Sequence, residues 1–221
     1  MGERAYHRGD RVDIFSTFLR MLKNGREEID ELRSARFEEP KKRLILVLLD
    51  ASDSMERVID ATREAVVKIL KDSYVSRDEV AIIKFQGADA DLVIKPTRNA
   101  IYADGKLRSI RVKGSTPLAA GFRKSIDFLR KVKPQYKNTL FVLVSDGNPN
   151  VSRDGDPVES AVKLAGELRR FADVRIFINP NPSLVEIPRK IAAALGAKYV
   201  ELKSEEKTTE ALSKMIDSKG G

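Results

Sequence analysis

LILVLLDASDSM, residues 44–55, is the stretch that decides the fold of this 221-residue chain. Its aliphatic run from Leu44 to Leu49 is bounded by Lys41, Lys42 and Arg43 on one side and Asp50 on the other, and reads as a strand covered on both faces. Asp50, Ser52 and Ser54 follow at alternate positions, at the carboxyl end of that strand. In an open α/β sheet this is the end where the departing loops form a binding crevice. Short oxygen-bearing side chains at i, i+2 and i+4 of a tight loop can converge on a hard cation such as Mg²⁺. The same residues also suit a polar strand-to-helix turn in which Asp53 or Ser54 caps the helix. The segment alone leaves both readings open.

Outward from this strand, the pattern alternates strand and helix. A helix is expected through MERVIDATREAVVKILKDSY, with Val58, Ala61, Ala65, Val66, Ile69 and Leu70 on its apolar face. Strands EVAIIKF (79–85) and ADLVIKP (90–96) are separated only by QGAD. That gap is too short for a crossover helix, so the two predict an antiparallel hairpin at a sheet edge. Helices near 99–109 and from Pro117 to about Lys131 precede a strand at 138–146, and a helix in DPVESAVKLAGELRRF follows it. A strand at 174–179, a helix in LVEIPRKIAAAL, a short strand KYVEL and a last helix near 205–217 complete the order, with SKGG as a frayed tail. The alternation predicts an α/β fold with a doubly wound, mostly parallel sheet, one antiparallel edge strand and helices on both faces. Residues 1–43 are expected to form an N-terminal helical extension, with Val12, Ile14, Phe15, Phe18, Leu19 and Leu22 at helical spacing and a C-cap near Asn24-Gly25, and residues 44–221 the domain proper.

Composition narrows the chemistry. The chain has no cysteine and a single histidine, His7, which removes disulfides and thiolate metal sites and argues against a His-based zinc site or a Ser/His/Asp triad. No apolar run approaches the roughly 20 residues needed to cross a bilayer, and MGERAYHRGDR has no apolar signal core. A soluble, cytoplasmic protein is expected. The net charge of +8 and pI of about 9.6 raise nucleic-acid binding as an alternative. It is not favoured, because the basic residues are interleaved with acids and form no long block.

Two further loops share the chemistry of the first. In KGSTPLAAG, Thr116 precedes Pro117 at the start of a helix, where threonine can cap. In LFVLVSDGNPN, Asp146 ends a second buried strand, which the sheet order would set beside the one ending at Asp50. Asn148 and Asn150 are expected to shape the turn that follows. Together the loops offer two carboxylates and three hydroxyls at one rim.

These residues resemble the von Willebrand factor A domain and its metal-ion-dependent adhesion site, whose pattern is D-x-S-x-S, then a Thr, then an Asp. The matching positions are Asp50, Ser52, Ser54, Thr116 and Asp146. The chain is most similar to the A domain at the C-terminal end of the D subunit of magnesium chelatase and its cobalt-chelatase relatives, through RVDIFSTFLR, LLDASDSM, SYVSRDEVAIIKFQG, KPTRN, GSTPLAAG and VSDGNPN. The resemblance implies a bound Mg²⁺, with Mn²⁺ or Ca²⁺ as substitutes, ligated directly by the hydroxyls and largely through water by Asp50 and Asp146. It implies a non-catalytic adaptor whose partner supplies an Asp or Glu to the ion, the partner being an AAA+ ATPase or chelatase subunit. The family's own ATPase-like module and acidic, proline-rich linker are not in this sequence, and no G-x-x-x-x-G-K-[ST] loop occurs, so ATP hydrolysis by this chain is not expected.

Asp53 departs from the family, which usually has glycine there. Its carboxylate could tighten the metal site, repel an acidic partner, face solvent or cap the helix. An enzymatic alternative is a phosphohydrolase of the haloacid dehalogenase type, which also carries an aspartate after its first strand. Ser52 stands where that family has its general acid, and serves poorly in the role.

Overall fold

The computed structural model describes residues 42–60, 62–64, 66–67, 78–181 and 185–201. The expected N-terminal helix and the expected helix near 205–217 lie outside them. Six strands form one sheet: β1 (Arg43–Asp50), β2 (Glu79–Gln86), β3 (Asp89–Thr97), β4 (Asn138–Val144), β5 (Val174–Asn179) and β6 (Lys198–Glu201). Their order is β3-β2-β1-β4-β5-β6, with β3 antiparallel to β2 and every other pairing parallel. Among the described residues four α-helices are complete: α1 (Ala100–Arg108), α2 (Leu118–Val132), α3 (Pro157–Leu168) and α4 (Glu186–Leu195). A further helical stretch occupies the described residues from 59 to 67.

The aliphatic runs explain the layering, because successive side chains of a strand point to opposite faces. Leu44, Leu46 and Leu48 of β1 join Phe85, Phe141 and Phe177 beneath α2, α3 and α4. Ile45, Val47 and Leu49 point the other way and pack with Val66, Ala103, Leu107 and Ile110. Both faces of the central strands are therefore dry, as an unbroken apolar run requires. Gly121 lets α2 lie close to the sheet, since a Cβ there would come within 3.1 Å of Leu48 Cδ1 and Phe85 Cδ1.

Several boundaries differ from expectation for identifiable reasons. The hairpin turn is Gly87-Ala88 alone, because Gln86 and Asp89 still pair across the ladder. The strand expected at 138–146 ends at Val144, and Ser145 instead bonds its N–H to the Ile178 carbonyl. Neither Thr116 nor Ser54 caps a helix: α2 starts after Pro117 with no side-chain cap, and residues 53–55 form a short 3₁₀ turn entered from an extended Ser52. On the helical stretch after the site, Ile59, Thr62 and Val66 face inward. Val58 is half-buried, and Ala61, Ala65, Ile69 and Leu70 lie outside the described residues.

Candidate functional site

Parallel pairing of β1 with β4 brings Asp50 and Asp146 to the same sheet edge, as their positions after buried strands foretold. Asp50 is wholly buried and both of its carboxylate oxygens are engaged. Oδ1 accepts from the Ser52 backbone N–H at 3.0 Å and the Ser52 hydroxyl at 2.6 Å. Oδ2 accepts from the Ser145 hydroxyl at 2.5 Å. Ser52 Oγ lies 3.1 Å from Ser54 Oγ. A hydroxyl has one proton, so with Ser52 donating to Asp50, Ser54 must donate to Ser52. Asp50 thereby orients the Ser52 lone pairs away from itself and towards Ser54.

Burial is the main influence on the Asp50 carboxyl and pushes it up to about 6, against the lowering effect of the Ser145 and Ser52 hydrogen bonds. The nearby charge of Asp146 raises it further. Asp146 is also buried, and its Oδ1 accepts the Asn148 N–H at 3.1 Å. Among the described residues neither aspartate has a basic partner. Two buried carboxylates without a counter-charge form an electrostatic deficit that a bound cation would relieve.

Thr116 is brought to this rim by its backbone. Its N–H donates to Asn150 Oδ1 at 2.8 Å, and its carbonyl accepts from the Asn150 N–H at 3.3 Å, which joins the second loop to the third. The first and second loops are joined through Asp53. Its N–H donates to the Gly114 carbonyl at 2.9 Å, and its Oδ1 accepts the Gly114 N–H at 2.8 Å. Asp53 lies in a 3₁₀ turn, where φ is negative, so the position makes no demand for glycine. Its carboxylate is a strut between loops and caps nothing.

Of the expected residues, Asp50, Ser52 and Ser54 are in direct hydrogen-bonded sequence, Asp146 is near enough to Asp50 to act on it electrostatically, and Thr116 is tied in through Asn150. Ser145 escaped the sequence reading, although its hydroxyl holds Asp50 Oδ2. The available signal was its place immediately before Asp146 at the end of a buried run. Gly147 makes this bend feasible: its φ is +70°, and a Cβ would lie 2.9 Å from Phe177 Cζ and from Pro188 Cγ. Among the described residues no three His, Cys, Asp or Glu side chains gather as a metal site. The donor set is instead two carboxylates and several hydroxyls, all oxygen, which fits a hard divalent cation rather than zinc.

A parallel sheet with one antiparallel edge, carrying this oxygen cluster at its carboxyl edge, defines a von Willebrand factor type A domain, and that family matches residues 45–148. The chain carries a domain of this family. It is 32% identical over 183 residues to the magnesium-chelatase 60 kDa subunit of Cereibacter sphaeroides, an alignment spanning 78% of this chain and 32% of that protein. The chain thus spans about a third of the length of the curated relatives that lead the comparison. The vWF domain of the type V pili tip protein Mfa5 from Porphyromonas gingivalis superposes with a TM-score of 0.65 at 9% identity, covering 81% of this chain and 96% of that one. Manganese-loaded TRAP protein of Plasmodium vivax gives 0.60 at 14% identity, over 78% and 72%. At such identities the likeness is one of fold.

Proposed function

We propose that the chain is a Mg²⁺-dependent protein-interaction module, with Ser52, Ser54 and Thr116 as hydroxyl ligands and Asp50 and Asp146 holding the ion largely through water. The observation that carries this reading is the buried Asp50, hydrogen-bonded to Ser52 and Ser145 yet without a basic partner among the described residues. The ion would supply an electrophilic centre seeking one more anionic oxygen, because neutral hydroxyls quench its charge poorly. Asp50 orients Ser52, Asn150 steadies the Thr116 loop, and Asp53 holds that loop against the first.

The partner would contribute an Asp or Glu. Similarity to magnesium-chelatase subunits points to an AAA+ ATPase or chelatase subunit, with this chain as its non-catalytic companion. The phosphohydrolase alternative is not favoured, since Ser52 stands where that chemistry needs a general acid and a serine hydroxyl serves poorly in the role. The test is co-elution of the full chain with the purified AAA+ chelatase subunit of the same source, in Mg²⁺ and in EDTA. A complex in Mg²⁺ only, lost in Asp50→Ala, supports the proposal. A complex indifferent to both overturns it.

A further inference from the structure

We infer that Arg57, Arg111 and Lys113 form a cationic rim beside the site, and that the rim selects a protein segment whose metal-seeking carboxylate is flanked by further acidic residues. The inference rests on the metal-dependent reading above and specifies the partner's chemistry. The segment preceding Thr116 runs alongside the first loop, with the Lys113 N–H on the Ala51 carbonyl at 2.9 Å and Gly114 bonded to Asp53. Burial alternates along it: Val112 packs into the core cluster, whereas Arg111 and Lys113 on either side are exposed. Both cations are therefore on the outward side of a strip fastened to the Asp50–Ser54 loop. Arg57, also exposed, lies on the turn directly after that loop.

These three differ from other cations near the site in having no acidic partner among the described residues. Arg63 pairs with Asp60, Arg123 with Asp154 and Arg153 with Asp89. Of the acids on the same loops, Asp53 and Glu56 are both exposed; Asp53 accepts the Gly114 N–H through Oδ1, and Glu56 is the neighbour of Arg57 in sequence. Unpaired cations around a site that takes one carboxylate favour a cluster of carboxylates over an isolated one. Three point charges are a small footprint for a nucleic-acid backbone, which favours an acidic peptide as the occupant.

The test uses two fluorescein-labelled nine-residue peptides in a Gly/Ser background, one with a single central Glu and one with that Glu flanked by an Asp on each side. Binding to the full chain is followed by fluorescence anisotropy in Mg²⁺, in EDTA and across NaCl concentrations. The triacidic peptide is expected to bind about tenfold more tightly in Mg²⁺, at two- to fivefold per surface charge pair. Arg57→Ser/Arg111→Ser/Lys113→Ser should erase this preference and leave the single-Glu peptide binding, still Mg²⁺-dependent, as it was. A preference that survives the triple substitution, no detectable binding of the triacidic peptide, or tighter Mg²⁺-independent binding of a 20-mer single-stranded DNA overturns the inference. If Mg²⁺ changes neither peptide's binding while the triple substitution still abolishes the preference, the rim stands and the metal reading fails.

Discussion

Asp50 is the residue on which the site turns, and its burial makes a pH prediction with a definite sign. With its carboxyl raised to about 6 in the fold, against about 3.9 in an unfolded chain, the native state holds more protons between those values. The favourable contribution is complete below about pH 4 and is lost as pH rises through 6. In EDTA, the stability of the wild type relative to Asp50→Asn should fall by on the order of 3 kcal/mol between pH 4 and pH 7, read by urea denaturation. An unchanged difference would contradict burial as the force that raises the Asp50 carboxyl. Asp50→Ala should abolish Mg²⁺-dependent partner capture with the circular dichroism spectrum intact. Thr116→Ala should weaken capture less, by tenfold at most, because water can replace one hydroxyl, whereas His7→Ala should leave metal binding unaltered. Gly147→Ala should cost about 2 kcal/mol in the same denaturation assay, since it combines a left-handed backbone with contacts at 2.9 Å to Phe177 and Pro188.

At the scale of elements, the three loops hold one another through hydrogen bonds that local patterns do not display. The strand ends that carry Asp50 and Asp146 were legible because a strand buried on both faces must be apolar throughout, so a carboxylate marks its exit. The tie from Asp53 to Gly114 was not legible, because it joins residues 61 apart whose types are ordinary for turns. The same holds for Asn150, whose side chain reaches the Thr116 N–H across 34 residues. Thr116 misled as a helix cap for a related reason: Pro117 takes the cap position and the threonine backbone is engaged by Asn150 instead. Asp53→Ala should loosen the coupling of the first two loops and lower Mg²⁺ affinity several-fold, measured by titration calorimetry. Equal affinity would mean that backbone bonds such as Lys113 N–H to the Ala51 carbonyl suffice to hold them.

For the whole molecule, the strand directions, though not the full strand order, could be read from connection lengths. A two-residue turn forces β2 and β3 to be antiparallel, and helical connections leave room for the remaining neighbours to pair in parallel, as they do. That topology sets β1 beside β4 and gathers every proposed ligand loop at one edge, a position shared with binding sites of open α/β sheets in general. Ser145 was missed because its value depends on the side chain of a neighbouring strand, which hydrophobic pattern cannot report. The divalent cation proposed at this edge would be held through Asp50 and the serine hydroxyls. Its most direct measurement is electron paramagnetic resonance of Mn²⁺ titrated into the full chain and into Asp50→Ala. One Mn²⁺ per wild-type chain should lose the free-ion signal, return it when Mg²⁺ is added in excess, and remain free in the variant. A free-ion signal unchanged by the wild type, or reduced equally by Asp50→Ala, would contradict the claim.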